Sequence, residues 1–353
     1  MKLRRLLFSM LVIGCVIGVL GGPMFASAQD ATPSPVAAPI PVIIDSDMIS
    51  DDWMATLYIL NDPRFDVQAI TVTGNGFATC DAGVAAALGL LALTGYGDVP
   101  VSCGAETPLV GDNAVPADWR TTLEMVQALG LPSGGQASDQ DAVTLLTSTI
   151  QQSPEPVTIL ALGPLTNVGS ALEAAPELVE NIEMVYVMGG AVDVPGSQVS
   201  ETNASAEWNI YGDPHGAAVT FGSGAPITLV PLDATNEVPV TPEFVAQLEA
   251  EKASPAAEFV ATLLSNNAES IASGGYFFWD PLAAAVLADP GLVTLTPRTV
   301  SIVDIPGDPD DGRTMPDPNG VEILVATAPD GEALEAALIA GWNASVATPA
   351  AAN

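Results

Sequence analysis

Residues 40–52 read IPVIIDSDMISDD, and this stretch decides the architecture of the chain. Its first half is a short run of almost continuously apolar residues, which is typical of a strand buried on both faces of a parallel sheet. Directly after it come four aspartates, Asp45, Asp47, Asp51 and Asp52. Because ligands in such sheets bind beyond the carboxyl ends of the strands, the stretch predicts a functional site immediately after the first strand.

These four carboxylates favour a metal site. Packed into a buried crevice they would repel one another, and the pKa of at least one would rise unless a cation neutralises them. Hard oxygen ligands with no neighbouring histidine or cysteine select calcium or magnesium over zinc. The alternative is a solvated turn in which Ser50 or Asp51 caps the next helix.

Apolar runs of strand length alternate with helical patterns along the rest of the chain. The predicted strands span residues 41–44, 67–72, 99–102, 157–162, 184–188 and 227–230. Helical patterns lie near residues 51–61, 79–94, 139–152, 166–175, 213–222, 242–250, 255–271, 281–288 and 331–344. This alternation predicts an α/β fold, a Rossmann-like, open, mostly parallel sheet with helices on both faces, in a single domain over residues 40–347. Residues 305–320 are rich in turn formers and are expected to form a long loop or a hairpin connection.

The first 28 residues have the composition of a secretory signal peptide. Basic residues at positions 2, 4 and 5 precede an apolar run, and Ala26-Ser27-Ala28 provides the small residues of a cleavage site. We therefore expect a secreted or otherwise extracytoplasmic protein. Lipoprotein anchoring at Cys15 is the less favoured alternative, since the apolar run continues well past it.

The mature chain is expected to begin with a linker over residues 29–39, rich in Pro, Ala, Ser and Thr, and to end in a short tail over residues 348–353. No later stretch contains about 18 uninterrupted apolar residues, so no membrane span is expected after signal removal.

The charge balance restricts the partners. The 353 residues include 8 Lys+Arg and 42 Asp+Glu, which gives a formal charge of −34. Nucleic acid and anionic membranes are therefore excluded, because phosphate contacts need clustered basic side chains. Neutral or cationic small molecules are compatible with this charge. The hydrophobic fraction of 48% excludes general disorder.

Cysteine and histidine are scarce. Cys80 and Cys103 remain after signal removal, and they form either a disulfide, which an oxidising compartment permits, or two buried free thiols. His215 is the only histidine, and we expect it to be an exposed surface residue in the first turn of a helix. Asp213 and Pro214 read as the N-cap and first residue of that helix.

The aspartate stretch resembles the DTDPGxDD motif of the nucleoside hydrolases, the calcium-dependent N-ribosyl hydrolases often called inosine–uridine preferring. Six further segments resemble motifs of this family, in family order: TVTGN (71–75), LGPLTN (162–167), MGGA (188–191), AEWNI with DP (206–210 and 213–214), LDAT (232–235) and DPLA (280–283). The resemblance covers about residues 40–345, nearly the whole expected mature chain.

The resemblance implies a role for each matching residue. The implied calcium ligands are Asp47, Asp52, Asp280 and the backbone carbonyl of Leu162, with Asp45 supporting the site. The implied substrate contacts are Asp51 to a ribose hydroxyl, Asn209 to the ribose diol, Glu207 to the 5′-hydroxyl end, and Asn75 and Met188 as pocket lining. Asp47 would also be the general base that takes a proton from a calcium-bound water.

The residue types suit this chemistry. Cleavage of an N-glycosidic bond passes through an oxocarbenium-like ribose, and a dense anionic pocket stabilises that positive charge. Calcium would lower the pKa of its water and orient the two cis hydroxyls of the sugar.

The sequence departs from the family pattern at two places. Met48-Ile49 replaces the Pro-Gly of the first motif, so we expect the turn to avoid a conformation that only glycine adopts. Trp279 stands where the nonspecific branch carries a histidine that protonates the leaving base. Tryptophan here is similar to the purine-preferring branch, in which aromatic rings hold the base. Packing in the core beside Phe277 and Phe278 is the alternative.

Two further pocket positions are less well defined by the motifs. Phe77 and Trp119 are candidates for a second ring that stacks on the base. Asn203 is a candidate for the pocket asparagine of the family, although it lies closer to Glu207 than the family spacing.

The resemblance implies calcium-dependent hydrolysis of ribonucleosides. Trp279 indicates purine substrates, so pyrimidine nucleosides are expected to be poor substrates. The alternatives are a hydrolase of another N-riboside, with a nicotinamide or modified base, and a non-catalytic calcium-dependent binder of nucleoside or ribose. A dinucleotide-dependent oxidoreductase is excluded because no GxGxxG follows the first strand. Relatives are commonly dimers or tetramers, so a homodimer or homotetramer is expected, and salvage of extracellular nucleosides is the expected role.

Overall fold

Nine strands form one mixed sheet in the computed structural model, which describes residues 38–96 and 98–344. The strands are β1 (Ile40–Ser46), β2 (Phe65–Val72), β3 (Val101–Cys103), β4 (Val157–Ala161), β5 (Ile182–Met188), β6 (Ile227–Val230), β7 (Thr294–Ile302), β8 (Thr314–Pro316) and β9 (Val321–Thr327). Their order across the sheet is β3-β2-β1-β4-β5-β6-β9-β7-β8. Strands β1 to β6 and β9 are parallel, and β7 runs antiparallel to both of its neighbours. The predicted Rossmann-like, mostly parallel sheet is confirmed.

Helices cover both faces of this sheet. They are α1 (Ser50–Leu60), α2 (Cys80–Thr94), α3 (Leu123–Ala128), α4 (Ala142–Gln152), α5 (Thr166–Ala174), α6 (Trp208–Gly212), α7 (Pro214–Gly222), α8 (Leu232–Thr235), α9 (Pro242–Glu251), α10 (Pro255–Asn266), α11 (Ala268–Ala272), α12 (Trp279–Ala288) and α13 (Gly331–Asn343). Three 3₁₀ helices span Ala117–Trp119, Pro176–Asn181 and Pro290–Leu292.

The two faces of β1 belong to two separate hydrophobic cores. Val42 and Ile44 pack in the core that contains α1, α2, α10, α12 and α13, whereas Ile43 packs in the core that contains α4, α5 and α7. Since successive strand residues point to opposite faces, a strand buried on both sides is apolar without interruption. This explains why the six parallel strands β1 to β6 were predictable as apolar runs.

The C-terminal part of the sheet differs from the prediction. Strands β7, β8 and β9 were not among the predicted strands, and residues 305–320 contain the hairpin connection between β7 and β8, β8 itself and the turn into β9. Strand β7 is largely half-exposed and contains Pro297, so it lacks the apolar run of a central strand. The predicted helix at 255–271 is divided into α10 and α11 at Asn267.

Cys80 and Cys103 form a disulfide, which decides between the two alternatives left by the sequence. It joins the first residue of α2 to the last residue of β3, with the two Cα atoms 5.6 Å apart. A Cβ at Gly74 would lie 2.7 Å from the Cys80 sulfur, so the turn after β2 packs directly on the disulfide.

His215 is not the exposed residue that the sequence predicted. Its Nδ1 lies 2.7 Å from the Asp304 carboxylate, and the side chain is 29% exposed. The hydrogen bond to Asp304 raises the pKa of His215. The prediction for Asp213 is confirmed, because its carboxylate accepts the Gly216 N–H at the start of α7.

Within the described part of the chain, every helix is too short or too polar to cross a membrane. The predicted signal peptide at residues 1–28, with Cys15, lies outside the described residues, as do most of the linker at 29–39 and the tail at 348–353.

Replacing Cys80 and Cys103 together with alanine should lower the free energy of unfolding by about 3 kcal/mol, because the disulfide closes a loop with a sequence separation of 23 in the unfolded chain. Urea denaturation of the oxidised protein and of the double variant measures this difference. Dithiothreitol is the control: it should bring the unmodified chain to the midpoint of the variant and leave the variant unchanged. Equal midpoints for the oxidised protein and the variant would contradict the expectation.

Candidate active site

A cavity of about 720 Å³ opens where the parallel strands end. Asp47 follows β1, Leu162 follows β4, and Met188 is the last residue of β5, and all three line the cavity. The strand order 3-2-1-4-5-6 reverses direction between β1 and β4, and this switch point is where ligands bind in doubly wound sheets. The volume is typical of a small-molecule site.

Three carboxylates meet on one wall of the cavity. Asp51 and Asp52 lie in the first turn of α1, and Asp280 lies in the first turn of α12. One carboxylate oxygen from each of the three lies within 4.8 Å of the others. The side chains are buried, and the positive ends of two helix dipoles face them, which favours negative charge. We call Asp51, Asp52 and Asp280 the carboxylate triad.

The triad carries unfavourable negative charge. Burial and the charge of Asp52 raise the pKa of Asp51 to about 8. Burial, followed by the charges of Asp52 and Asp51, raises the pKa of Asp280 well above its ordinary value. Burial also raises the pKa of Asp52, and the hydrogen bonds that Ser46 and the Met48 and Ile49 N–H groups donate to its carboxylate act in the opposite direction. A bound cation would remove both the repulsion and the desolvation cost.

The triad fits a hard divalent cation. All of its donors are carboxylate oxygens, which calcium and magnesium prefer. None of the described residues that line the cavity is a lysine, arginine or histidine, so no side-chain cation there neutralises the triad. The sequence had assigned Asp52 and Asp280 to the metal and Asp51 to the ribose. The structure places Asp51 in the same cluster as the other two, and its burial excludes the solvated turn considered as an alternative.

Asp47 lies beside the triad and is held from several sides. The Phe77 N–H donates to its Oδ2 at 2.8 Å, and the Ala78 N–H donates to its backbone carbonyl at 3.2 Å. A Cβ at Gly76 would overlap the Asp47 carboxylate, and a Cβ at Gly163 would lie 2.7 Å from the Asp47 nitrogen. Burial, with the charge of Asp52, raises the pKa of Asp47 well above its ordinary value. Asp47 is therefore a buried carboxylate held in a fixed position at the cavity.

The turn that joins Asp47 to α1 is strained. Met48 has a φ of 55°, in the left-handed region that a non-glycine residue enters at roughly 1 kcal/mol or more. Ile49, which replaces the glycine of the family motif, is extended with a φ of −105°, so the expectation that the turn avoids a conformation only glycine adopts is confirmed, although Met48 occupies the left-handed region. Hydrogen bonds within the turn stabilise Met48 there: Asp52 accepts its N–H, and Trp53 Nε1 donates to its carbonyl at 2.8 Å.

Asp45 lies beneath the cavity and does not line it. Its Oδ1 accepts hydrogen bonds from Thr71 Oγ1 at 2.6 Å and from Asn167 Nδ2 at 2.9 Å, and its Oδ2 has no hydrogen-bond partner within the described chain. Burial raises the pKa of Asp45 to about 7. The position agrees with a supporting role for Asp45 rather than with direct contact to a ligand in the cavity.

Four further predicted site residues line the cavity: Glu207 and Asn209, predicted to bind the sugar, Met188, predicted to line the pocket, and Leu162, predicted to bind the metal. Asn209 Nδ2 donates to the Leu162 carbonyl at 3.0 Å and to the Met188 carbonyl at 3.1 Å, which joins three of the predicted site residues. Glu207 is buried and accepts N–H groups from Gly190, Asn209 and Ile210. Burial raises the pKa of Glu207. All four predicted residues line the cavity.

Two predicted substrate residues do not line the cavity. Asn75 Nδ2 donates to the Gly212 carbonyl at 3.1 Å, and its Oδ1 accepts the Thr166 hydroxyl. Asn203 Nδ2 donates to the Asp311 carbonyl at 2.8 Å, and its Oδ1 accepts N–H groups from Ser205 and Ala206. Both amides are engaged in connecting loops, and their contact with substrate stays a prediction.

Aromatic side chains form the remaining walls, and they are Phe77, Trp119, Trp208, Tyr276 and Trp279. Trp208 is the centre of one group, with the ring of Phe77 and the ring of Trp119 each 5.6 Å from its own. Trp279 lines the cavity and is only half-buried, with the Tyr276 ring 5.5 Å away, so simple core packing does not describe it. Trp208 and Tyr276 were missed by the sequence reasoning. The signal for Trp208 was its place between Glu207 and Asn209.

The site has counterparts in known proteins. Residues 42–336 match the family model described as inosine-uridine preferring nucleoside hydrolase. A pyrimidine-specific ribonucleoside hydrolase, RihA, from Citrobacter koseri is 35% identical over 269 residues, covering 74% of this chain and 84% of the relative.

Solved structures resemble the chain along nearly their whole length. A plant nucleoside hydrolase, PpNRh1, superposes with a TM-score of 0.75 at 28% identity, covering 87% of this chain and 99% of its own. A purine-preferring ribonucleoside hydrolase from Gardnerella vaginalis gives a TM-score of 0.70 at 27% identity, covering 86% of this chain and 98% of its own.

Calcium should raise the thermal stability of the protein, because it would bind the folded triad and has no such site in the unfolded chain. At a concentration of 100 Kd the gain is about 2.7 kcal/mol. The variant Asp280→Asn should lose this gain and should be more stable than the unmodified protein in chelator, since one of three repelling carboxylates is gone. Differential scanning calorimetry with calcium, magnesium and chelator measures both effects.

The matched control is Asp304→Asn, which changes a carboxylate outside the cavity and should keep the full response to calcium. A midpoint that does not change between calcium and chelator would refute a divalent site at the triad.

Proposed function

Because the chain belongs to the family of inosine–uridine preferring nucleoside hydrolases, we propose that this cavity hydrolyses purine ribonucleosides to free base and ribose with calcium as its cofactor. The chain is a ribonucleoside hydrolase, an N-glycosidase acting on small nucleosides, which removes the alternative of a non-catalytic binder. The observation that carries the proposal is the meeting of the carboxylate triad, Asp47 and aromatic walls in one cavity.

In the proposed mechanism Asp47 takes a proton from the attacking water. The carboxylate is buried, it lines the cavity, and the Phe77 N–H fixes its position, so it is oriented to accept the proton. Calcium, when bound to Asp47, Asp52, Asp280 and the Leu162 carbonyl, would polarise the attacking water and orient the ribose diol.

The chain's own residues would stabilise the sugar as it becomes positively charged. Asp51 and Glu207 both line the cavity, so their carboxylates place negative charge beside the proposed ribose position. Asn209 belongs to α6 and is tied to β4 and β5 through the carbonyls of Leu162 and Met188. These fixed bonds hold its amide ready for the ribose diol without reorganisation.

The aromatic walls support the preference for purines. A bicyclic base offers more surface to Trp279 and Trp208 than a pyrimidine does, and stacked rings contribute about 0.5–1.5 kcal/mol beyond area burial. Phe77 and Trp119, the two candidates for a second stacking ring, both line the cavity on the side of Trp208.

A second candidate is a preference for pyrimidine ribonucleosides. It is favoured by the Citrobacter koseri relative, which is named a pyrimidine-specific ribonucleoside hydrolase. The larger purine would then be excluded by the crowded rings around Trp208.

We also propose that the enzyme is exported, that it acts in salvage of extracellular nucleosides, and that it forms a homodimer or homotetramer. The composition of residues 1–28 supports export. Cell fractionation with an antibody to the chain tests the location, and light scattering of the purified protein tests the oligomeric state.

A substrate panel tests the proposed activity. Inosine, guanosine, adenosine, uridine and cytidine are each incubated with the protein in calcium, and free base is measured by chromatography. We expect release from the purine nucleosides, at least several-fold slower release from the pyrimidines, and loss of all activity in excess chelator. Faster release from uridine and cytidine would support the second candidate, and no release from any of the five would refute the proposed activity.

The variant Asp47→Asn tests the general base. The asparagine carbonyl can still accept the Phe77 N–H, so the fold should persist, but the side chain can no longer take a proton. We expect kcat/KM to fall by about 10²–10⁴-fold, and the melting temperature in chelator to be at least that of the unmodified protein, because one buried, repelling carboxylate is gone. Asp304→Asn is the control and should retain activity. A fall of less than tenfold would assign the proton transfer to another group.

A further inference from the structure

Five aromatic rings surround the cavity, and they come from separate parts of the chain. Phe77 follows β2, Trp119 lies in the connection between β3 and α3, Trp208 begins α6, and Tyr276 and Trp279 lie at the start of α12. Rings in this number can enclose a flat heterocycle, and their faces attract positive charge through the ring quadrupole.

The same cavity contains five carboxylates and no basic side chain among its described lining residues. The carboxylates are Asp47, Asp51, Asp52, Glu207 and Asp280. The nearest basic residue along the chain, Arg120, donates hydrogen bonds to the carbonyls of Gly74 and Ala78. A divalent cation would balance only part of this negative charge. The cavity therefore favours a solute that carries positive charge.

The described lining residues also include no histidine, the side chain that most often protonates a leaving group near neutral pH. The hydroxyl donors include Ser50 and Tyr276, which hydrogen-bond to each other at 2.8 Å. Burial raises the pKa of Tyr276 well above its ordinary value, so its phenol is a poor acid. His215 pairs with Asp304 and does not line the cavity.

The chemistry of bond cleavage then depends on the charge of the base. Water forms a bond to the anomeric carbon and gives a proton to Asp47, while the bond from that carbon to the base nitrogen breaks and its electron pair stays on the nitrogen. A neutral base leaves as an anion unless something protonates it. A base that carries a fixed positive charge is neutralised by the same electron pair and leaves as a neutral molecule.

We propose that the favoured substrates of this site are cationic N-ribosides, ribonucleosides whose base carries a fixed positive charge, such as a ribosylated pyridinium or a 7-alkylated purine. This inference rests on the proposed function, since it names the substrate class of the same cavity. The aromatic walls bind the cationic ring, the carboxylates attract it, and its departure needs no acid.

The net charge of the whole chain also favours cationic substrates. A formal charge of −34 produces a negative potential that concentrates cations near the cavity and raises their association rate. This part of the preference is screened by salt, whereas the contribution of contacts inside the cavity is screened much less.

A binding measurement tests the effect of ligand charge separately from the intrinsic reactivity of the glycosidic bond. The probes are 1-methylnicotinamide, which is a cation, and nicotinamide, its neutral counterpart, titrated into the calcium-loaded protein by calorimetry with ribose present. We expect the cation to bind roughly tenfold more tightly than the neutral probe. Equal or weaker binding of the cation overturns the inference.

Variants identify the source of the preference. Trp279→Leu and Trp208→Leu keep an apolar side chain but remove the ring, so each should reduce the ratio of the two affinities several-fold. Trp279→Phe and Trp208→Phe are the matched controls and should retain most of it. A ratio that is the same in the leucine and phenylalanine variants would show that the rings do not recognise charge, and it would overturn the inference.

Turnover separates this inference from the proposed function. We expect nicotinamide riboside to be hydrolysed with at least tenfold higher kcat/KM than inosine or uridine, and its kcat/KM to fall with added salt while the values for the neutral nucleosides change little. Turnover of neutral nucleosides with a lower kcat/KM for nicotinamide riboside overturns the inference and leaves the proposed function intact. No turnover of any riboside overturns both.

Discussion

The repulsion among buried carboxylates is the constraint on which the rest of the site depends. Asp51 and Asp52 come from the first crossover and Asp280 from a helix far along the chain, and the fold buries all three side chains with one carboxylate oxygen of each within 4.8 Å of the others. Two helix N-termini and the N–H groups around Asp52 offset part of this cost. The remainder is removed only by protons or by a cation, so occupation of the site and stability of the fold are linked.

A second constraint is the fixed position of Asp47. The turn after β2 packs between this aspartate and the disulfide, with Gly74 against Cys80 and Gly76 against the Asp47 carboxylate. Arg120 ties the same turn to the following loop through two carbonyls. The strained Met48 holds Asp47 from the other side. The disulfide, although outside the cavity, thus supports the segment that contacts the proposed base, and strain at one residue is maintained by bonds from several others.

Much of the fold and part of the site were predictable from the sequence, for physical reasons that differ between elements. Strands β1 to β6 are buried on both faces and so appear as apolar runs, whereas β7 is half-exposed, contains Pro297 and gives no such signal. The carboxylates that follow strand ends or begin helices were predictable because the topology brings those points together. The contacts of two amide side chains were not predictable. Asn75 hydrogen-bonds to Gly212 and Asn203 to Asp311, and nothing in their local sequence shows those partners. The left-handed Met48 was missed for a different reason: its hydrogen-bond partners Asp52 and Trp53 are close in sequence, but their residue types do not signal that backbone conformation.

The absence of a histidine among the described lining residues is consistent with the aromatic and anionic walls of the cavity. When an enzyme breaks an N-glycosidic bond, the base keeps the electron pair of that bond and gains negative charge. The enzyme either protonates the base or binds a base whose positive charge the electron pair neutralises. Stacking on rings such as Trp208 and Trp279 helps any flat base, so it does not discriminate by charge unless the ring faces meet a cation. The carboxylates do discriminate, because their field acts on net charge and is strong in a buried cavity. The two kinds of wall therefore act together only on a flat, positively charged ligand, and the same field stabilises the charge when it moves from the base to the ribose.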